Sequence, residues 1–559
     1  MKPPTGRVQS ARVSALGGES GSSLLPVPCV YLPAMSARRD GACENLLHGH
    51  LDMASPSHAG SQHKLQRKLT VSNMDDKIVA AKYAVRGTVV QRAAELKRAL
   101  ADGEALPFDE LILCNIGNPH AVKQQPITFY RQVAAAMYMP ELASDPQKLV
   151  ASGLFPADVV ERAQEYLKAT GGSGVGSYTD SIGLQLVREQ VAEFIQARDG
   201  FPADPGSITL TTGASEGVKR WIGALIAGER DGVMIPRPQY PLYSAALTMS
   251  GGIAVYYDLD EAKGWTTSWQ ELERAFQEAA SAGTCVRALA MINPGNPVGA
   301  VLEEDGVALL VCFAASKGLV ILADEVYQVN VYSPGKAFHS CKKVLRKLQA
   351  QQLMAPPEAG DASAVLDQAQ LVSFHSTSKG LIGECGQRGG FMEMVGFSEA
   401  TLAQFKKVAA TSLSSNTIGQ IFVGLMVKGP APDSPSRYLF DCEQQTILDG
   451  LKRRALAASD ALNKMPGISC QPIEGAMYAF PCIQLPAAMK EEGAGADEMW
   501  CISLMEATGI VCVPGSGFGQ KPGTFHARLT ILPPDDMFDS MLLKMAEFQK
   551  NLYEEWGPA

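Results

Sequence analysis

The chain lacks any C-x-x-C pair, and its 12 cysteines, Cys114, Cys285, Cys312, Cys385 and Cys442 among them, are scattered. That excludes the common zinc spacings and suggests no disulfide framework, so the cysteines read as reduced, mostly buried thiols of an intracellular protein. No window offers the about 18 consecutive apolar residues of a membrane-spanning helix. Basic charge is not in excess either. Lys and Arg number 49 against 58 Asp and Glu, a net charge of −9, so the electrostatic footprint of a nucleic-acid binder is missing. No internal repeat of fixed period is present. The run "GGSGVGS" (171–177) lacks the G-K-[ST] ending and the preceding strand of a nucleotide loop.

Acidic residues are scarce in the first 70 positions, where Glu19, Asp40, Glu44 and Asp52 stand against Arg7, Arg12, Arg38, Arg39, Lys64, Arg67 and Lys68. Such a basic, Ser-rich leader, taken as residues 1–72, resembles an organellar transit peptide. A mitochondrial destination is expected, with chloroplast and cytoplasm as alternatives. A disordered tail or an over-extended start, with Met53 or Met74 as initiator, is the competing reading. The C-terminal "WGPA" is no S-K-L type peroxisomal signal.

What is present is ordinary globular composition, 46% hydrophobic and 19% charged over 559 residues, enough for two or more domains. Seven short Val/Ile/Leu-rich runs predict strands of a mostly parallel sheet: "SITLTT" (207–212), "GVMIP" (232–236), "IAVYYDL" (253–259), "RALAMI" (287–292), "GLVILA" (318–323), "QLVSFH" (370–375) and "GGFMEMV" (389–395). Helical stretches such as "SEGVKRWIGALIAG" and "EEDGVALLVCFAASKG" alternate with them, the second ending at a glycine suited to a C-cap. The polar stretch 349–370 reads as a surface insertion. A long amphipathic helix over 436–467 closes at Pro466 and Gly467, and "ISCQPIEGAMYAFPCIQL" and "GIVCVPGSGFG" read as strands and turns of a smaller α+β domain. The expected division is a small-domain N-terminal part and arm at 73–164, a large α/β domain at 165–440 and the rest of the small domain at 441–559.

In open α/β sheets ligands bind beyond the carboxyl ends of the strands, and the residues there form a pattern. Gly213, Ala214 and Ser215 open a helix, where free N–H groups and a hydroxyl suit a phosphate. Tyr240 offers a flat ring in a Pro-constrained turn, and Asn293 and Asn296 follow the fourth run. Asp324 and Tyr327 follow the fifth, and Ser376, Ser378 and Lys379 the sixth. Anion cradle, aromatic plate, carboxylate, phenol and lysine together suit a phosphorylated aromatic aldehyde, pyridoxal 5'-phosphate. Its aldehyde condenses with a lysine amine, and a carboxylate such as Asp324 keeps its ring nitrogen protonated.

The strings "YAVRG", "NIGNP", "PQYPLY", "INPGNP", "LADEVYQ", "FHSTSKG", "GECG", "EGAMY", "VPGSGFGQ" and "TILPP" occur in order over about residues 72–555. They resemble the alanine aminotransferase family of class I, fold-type I pyridoxal-phosphate enzymes, which includes glutamate:glyoxylate aminotransferases. The resemblance implies that Lys379 forms the Schiff base with the cofactor and then moves the proton. It implies that Ser215, Ser376 and Arg388, with the N–H groups of Gly213 and Ala214, hold the phosphate, and that Ser378 also belongs to the cofactor site. Tyr240 is similar to the ring-stacking aromatic, while Asn296 and Tyr327 resemble the partners of the 3′ oxygen. Arg528, in "FHARLTIL", resembles the arginine that grips the substrate α-carboxylate, and Gly117 is similar to a substrate-side backbone contact. Tyr178, in "GSYTDSIG", resembles a tyrosine that reaches the phosphate of a neighbouring subunit, which implies a homodimer with shared sites. One departure stands out: the arginine follows the lysine by nine residues, with Gln387 in the place that most class I enzymes give to arginine. The alanine subgroup shares the longer spacing.

What the resemblance implies is transamination of L-alanine with 2-oxoglutarate, by ping-pong half reactions, to pyruvate and L-glutamate. Glutamate:glyoxylate or alanine:glyoxylate transamination is the alternative on the same fold. A fold-type I lyase is disfavoured by the subgroup strings. A non-enzymatic aminotransferase-like binding module is disfavoured by the acidic charge and by a leader without a DNA-binding helix pair. Taken alone, each site residue has a plainer reading: Asp324 as a helix cap, Tyr240 and Tyr327 as packing aromatics, Arg528 in a surface ion pair, His375 as a packed ring and Cys385 as a small buried residue.

Overall fold

A computed structural model describes residues 69–83, 87–360, 363–490 and 495–557. Nearly all of the leader, and residues 84–86 of the "YAVRG" string, lie outside the described residues. Among the described residues no helix is long and apolar enough to cross a membrane. Ten described cysteines are free, and Cys114, Cys312, Cys341, Cys470, Cys501 and Cys512 are buried.

All seven apolar runs are strands of one sheet: β1 (Ile208–Thr211), β2 (Asp231–Arg237), β3 (Ile253–Asp258), β4 (Cys285–Ile292), β5 (Val320–Asp324), β6 (Leu371–Ser376) and β7 (Gly390–Val395). They lie in the order β1-β7-β6-β5-β4-β2-β3. β7 runs antiparallel to both its neighbours, and the other adjacent pairs are parallel. Both faces of the sheet are covered, which is why these strands read as continuous apolar runs rather than alternating ones. The alternation survives in which core each side chain joins. Val233, Ile235, Ala288, Ala290 and Leu322 pack with Val218, Trp221 and Ile222 of helix α1 (Ala214–Leu225). Their neighbours Met234, Leu289, Met291, Ile321 and Ala323 pack on the other side with Val307, Leu310 and Phe313 of helix α2 (Glu304–Ser316). The spacing of 218, 221, 222 and 225 in α1 is the i, i+3, i+4, i+7 stripe of a helix with one buried face.

Helix α2 ends two residues before Gly318, whose φ of 66° reverses the chain into β5. The stretch 349–370 is less detached than an insertion would be. It contains a turn of 3₁₀-helix at Pro357–Ala359, and Leu366 and Ala369 are buried, because its scattered apolar residues pack against the α2 side of the sheet.

Helix α3 (Arg437–Leu462) leads to a second set of short strands. Tyr478–Ala479 and Val513–Pro514 flank Ala527–Thr530, and Ile468–Ser469 pairs with Cys482–Ile483. Ile112–Leu113 pairs in parallel with Ile510–Val511, so residues from both ends of the described chain share one core containing Leu96, Ile112, Trp500 and Met545. Leu322 sits fully buried in β5, two residues before Asp324 at the edge where the chemistry-bearing side chains gather. Leu322→Ala is expected to lower unfolding free energy by about 2–5 kcal/mol, because β5 is packed from both faces and cannot collapse into the space. A urea midpoint equal to that of the wild type would contradict this packing.

Candidate active site

The register of the sheet decides which residues meet. Ile292, Asp324 and Phe374 stand in line across β4, β5 and β6, and Ser376 and Thr211 both pair with Gly390. The carboxyl ends of the parallel strands therefore share one edge with the amino end of β7. That places Arg388, two residues before β7, beside the residues that follow β1 and β6.

At this edge lies a cavity of about 430 Å³, within the usual range for small-molecule sites. Ala214, Ser215, Tyr240, Asn296, Asp324, Tyr327, Ser376, Ser378, Lys379, Arg388 and Gly117 all line it.

One end is an anion cradle. The Arg388 guanidinium donates to the Ser215 hydroxyl at 3.2 Å, the Ser378 hydroxyl at 3.4 Å and the Thr212 carbonyl at 3.1 Å. The 3₁₀ turn Cys385–Gln387 precedes it, and Arg388 itself has a φ of 54°; this left-handed kink accommodates the nine-residue spacing from Lys379. Gly213 has a φ of 79°, which calls for glycine, and a Cβ there would push the Arg388 guanidinium aside. The cradle differs from the expected one in two details. The Gly213 N–H is already donated to the Thr211 carbonyl at 2.8 Å, which leaves the first-turn N–H groups of Ala214 and Ser215 open. The Ser376 hydroxyl donates to the Gly389 carbonyl at 3.0 Å and accepts the Ser378 N–H at 3.1 Å, so it braces the turn before Lys379.

Away from the cradle, Asp324 is buried, with one carboxylate oxygen accepting from the Tyr243 hydroxyl at 3.2 Å. Its Oδ1 has no hydrogen-bond partner. Burial pushes the carboxyl up to about 6, against the opposing pull of the Tyr243 hydroxyl, the Val326 N–H and the Lys379 cation.

Between these groups Lys379 Nζ donates to the Gly117 carbonyl at 2.8 Å. A Cβ on Gly117 would collide with the Tyr478 hydroxyl and come within 2.9 Å of Nζ, so only glycine lets that carbonyl reach the amine. Tyr478, which the sequence reading passed over inside "EGAMY", shares a hydrogen bond of 3.0 Å with Tyr327. Burial alone would raise the Tyr478 phenol, but Lys379, Arg528 and the Tyr327 hydroxyl bring it below its usual value, while burial beside Tyr478 drives Tyr327 well above. Tyr240 is held by the hydroxyl of Tyr83 at 2.8 Å.

Arg528 is 1% exposed and lies just behind this wall. It donates to Asn296 Oδ1 at 3.1 Å and the Asn115 carbonyl at 2.6 Å, between the rings of Tyr478 and Phe518 at 4.4 and 4.6 Å. Its Nε has no partner, and it makes no ion pair with any described carboxylate. Tyr178 is not brought to the cavity. It is 77% exposed and lines a separate recess with Thr170, Asp180 and Arg188. His375 is a buried ring edge-on to Phe391, its imidazole pushed down to about 3 by burial and by Arg198. The Cys385 thiol donates to the Ser378 carbonyl at 3.1 Å, and burial raises it above the usual thiol value.

With this geometry in view, the comparisons with known proteins are specific. The family model "Aminotransferase class I and II" matches residues 146–540. The mitochondrial alanine aminotransferase 1 of Arabidopsis thaliana is 44% identical over 87% of this chain and 88% of its own length. Alanine aminotransferase 1 of Homo sapiens is 44% identical over 90% of this chain and all of its own length. The chain belongs to the alanine aminotransferase family. Among solved structures, an alanine aminotransferase from Pyrococcus furiosus superposes with a TM-score of 0.65 at 22% identity, covering 85% of this chain and 99% of that one. An aminotransferase from Escherichia coli gives 0.64 at 23%, covering 85% and 97%. The fold is thus that of the fold-type I aminotransferases, a pyridoxal-phosphate-dependent family of α/β architecture.

Two predictions rest on this geometry. In the cofactor-free protein the folded Asp324 binds its proton more tightly than the unfolded chain does, so stability falls as pH rises from about 4 through about 6. Asp324→Asn is expected to be more stable than the wild type by about 3 kcal/mol at neutral pH and equal to it below the unfolded carboxyl value; denaturation midpoints across pH check this, and a constant difference would refute it. Gly213→Ala is expected to weaken inorganic phosphate binding at least about 10-fold by displacing Arg388 from a charge-assisted site; calorimetric titration reads the change.

Proposed function

We propose that this chain is an alanine transaminase that converts L-alanine and 2-oxoglutarate to pyruvate and L-glutamate with pyridoxal 5'-phosphate. The observation that carries the reading is one cavity lined by three complementary groups, each open in the way the cofactor requires. Arg388, Ser215 and the first turn of α1 offer donors to a phosphate. Asp324 offers a buried oxygen without a partner to a protonated ring nitrogen. Lys379 offers a primary amine between them. When bound, pyridoxal phosphate supplies the aldehyde that condenses with an amine and a ring that takes up electron density released at the substrate Cα.

The protein's own residues would do the rest. Lys379 Nζ, once free as an amine, would accept the proton from the substrate Cα and then give it up again as a general acid. The Gly117 carbonyl parks that amine, and the hydrogen-bonded hydroxyls of Tyr327 and Tyr478 lie in the same cavity. Asp324 would hold a protonated ring nitrogen, and that cation would offset the upward push of burial on the carboxyl. Arg528, a buried cation without a counter-ion, would take the substrate carboxylate, with Asn296 fixing its fork. Tyr240 would cover one ring face. Tyr178, remote from its own cavity, is read as serving the phosphate of a second subunit in a homodimer. The division at 73–164, 165–440 and 441–559 is kept as part of this reading.

Relatives from Arabidopsis thaliana and Dictyostelium discoideum are named mitochondrial, and with the basic leader they support a mitochondrial location.

Purified protein is expected to carry a visible absorption band that L-alanine bleaches and 2-oxoglutarate restores; a colourless protein that gains no band with added pyridoxal phosphate overturns the cofactor. Lys379→Ala should lose transamination at least about 100-fold, the usual scale of a positioned acid-base group. Turnover with glyoxylate in place of 2-oxoglutarate separates the proposal from its alternative on the same fold.

A further inference from the structure

Outside the cavity, three side chains able to ligate a metal converge from distant stretches. Glu261 opens the 3₁₀ turn Glu261–Lys263 just after β3, and Cys482 lies on the short strand Cys482–Ile483. His526 pairs with Cys482 through an antiparallel backbone bridge. Their carboxylate oxygen, sulfur and imidazole nitrogen lie within 4.8 Å of one another.

His526 is 2% exposed and its orientation is over-determined. The ring stacks on Phe480 at 4.7 Å and meets the Trp265 ring edge-on at 5.8 Å. Gln520 donates its amide to Asp497 at 3.1 Å, which turns its carbonyl oxygen toward His526 Nδ1, also at 3.1 Å. In the neutral ring Nδ1 then carries the hydrogen and Nε2 the lone pair. That lone pair stands 3.1 Å from Glu261 Oε2, another acceptor, with the Cys482 thiol beside both. Two acceptors at hydrogen-bond distance call for something positive between them. A histidine whose second N–H is held by a carbonyl oxygen is also the usual support of a metal-ligating imidazole.

We propose that Glu261, Cys482 and His526 bind one borderline-soft divalent cation of the zinc class. The mixed oxygen, sulfur and nitrogen set selects such an ion over magnesium or calcium, which prefer oxygen alone. As sulfur bonds the ion, the thiol releases its proton to solvent. A tetrahedral ion at about 2.0–2.3 Å from each ligand holds them about 3.3–3.8 Å apart, so the widest separation closes by about 1 Å. The adjoining recess, about 610 Å³ and lined also by Asp260, Glu271, Lys263, Lys521 and the Arg237–Asp258 pair, gives access and leaves the fourth position to water. His526 immediately precedes the strand Ala527–Thr530 that bears Arg528, so the ion would tie the start of that strand to the turn after β3.

The test is a Co²⁺ titration of the full-length, cofactor-loaded protein after chelator treatment. One equivalent is expected to bind with a sulfur-to-cobalt charge-transfer band. Cys482→Ser is expected to lose that band, while Cys285→Ser and Cys442→Ser, at exposed thiols elsewhere, keep it. Gln520→Ala, which leaves the three ligands in place and removes the support of His526 together with its own bond to Asp497, is expected to weaken binding about 10–100-fold. A band that survives in Cys482→Ser, or a folded wild type that takes up no stoichiometric Co²⁺, overturns the site and leaves His526 and Glu261 as an ion pair.

Discussion

Two opposite charges buried without partners govern this molecule. Asp324 ends a strand packed on both faces, and Arg528 lies between two aromatic rings; neither is matched by an opposite charge in contact within the described chain. Taking an ion out of water costs several kcal/mol even after relaxation, so a fold that hides one of each sign is incomplete until its ligands arrive. On the proposed function, the cofactor would bring a cation to the first and the amino acid a carboxylate to the second. Binding and stability are therefore two readings of one deficit, and the uncharged residues around it are arranged to keep it from being satisfied internally. Tyr243 gives Asp324 a hydroxyl and no positive charge, and Asn296 and the Asn115 carbonyl give Arg528 oxygen dipoles and no negative charge.

The sheet makes this arrangement affordable. Its strands are pinned by two cores that divide the side chains by parity, with Leu322 on one side and Ile321 and Ala323 on the other. The edge where the strands stop can then carry groups that weaken the fold. The glycines at that edge serve the same end. Gly117 lets a carbonyl reach the lysine amine, and Gly213 leaves room for the Arg388 guanidinium.

How much of this was legible in the sequence follows from the kind of signal each residue carries. The seven strands were readable because a doubly covered strand is an unbroken apolar run. Asp324, Lys379 and Ser215 were readable because a polar residue within a few positions of the end of such a run has to sit near the sheet edge. Tyr478 was quoted only as part of a family string, since a tyrosine in a glycine turn announces no chemistry. Its partner Tyr327 lies 151 positions away, a proximity that only the folded chain creates. Tyr243 was hidden for the same reason, a helix residue reaching a strand end 81 positions on. Local pattern gives no account of hydrogen-bond direction, and so it assigned the Gly213 N–H and the Ser376 hydroxyl to a ligand although both are spent on backbone carbonyls.

The antiparallel strand β7 has a further effect. Because β6 and β7 are neighbours joined by one loop, the amine and the guanidinium hang from a single tether of fixed ends. A residue added inside it can be absorbed as a kink at Arg388, with no change in the pairing of Ser376 with Gly390. The distance along the chain between the two cations is therefore a property of the loop and not of the sheet, because strand pairing fixes both ends of the tether.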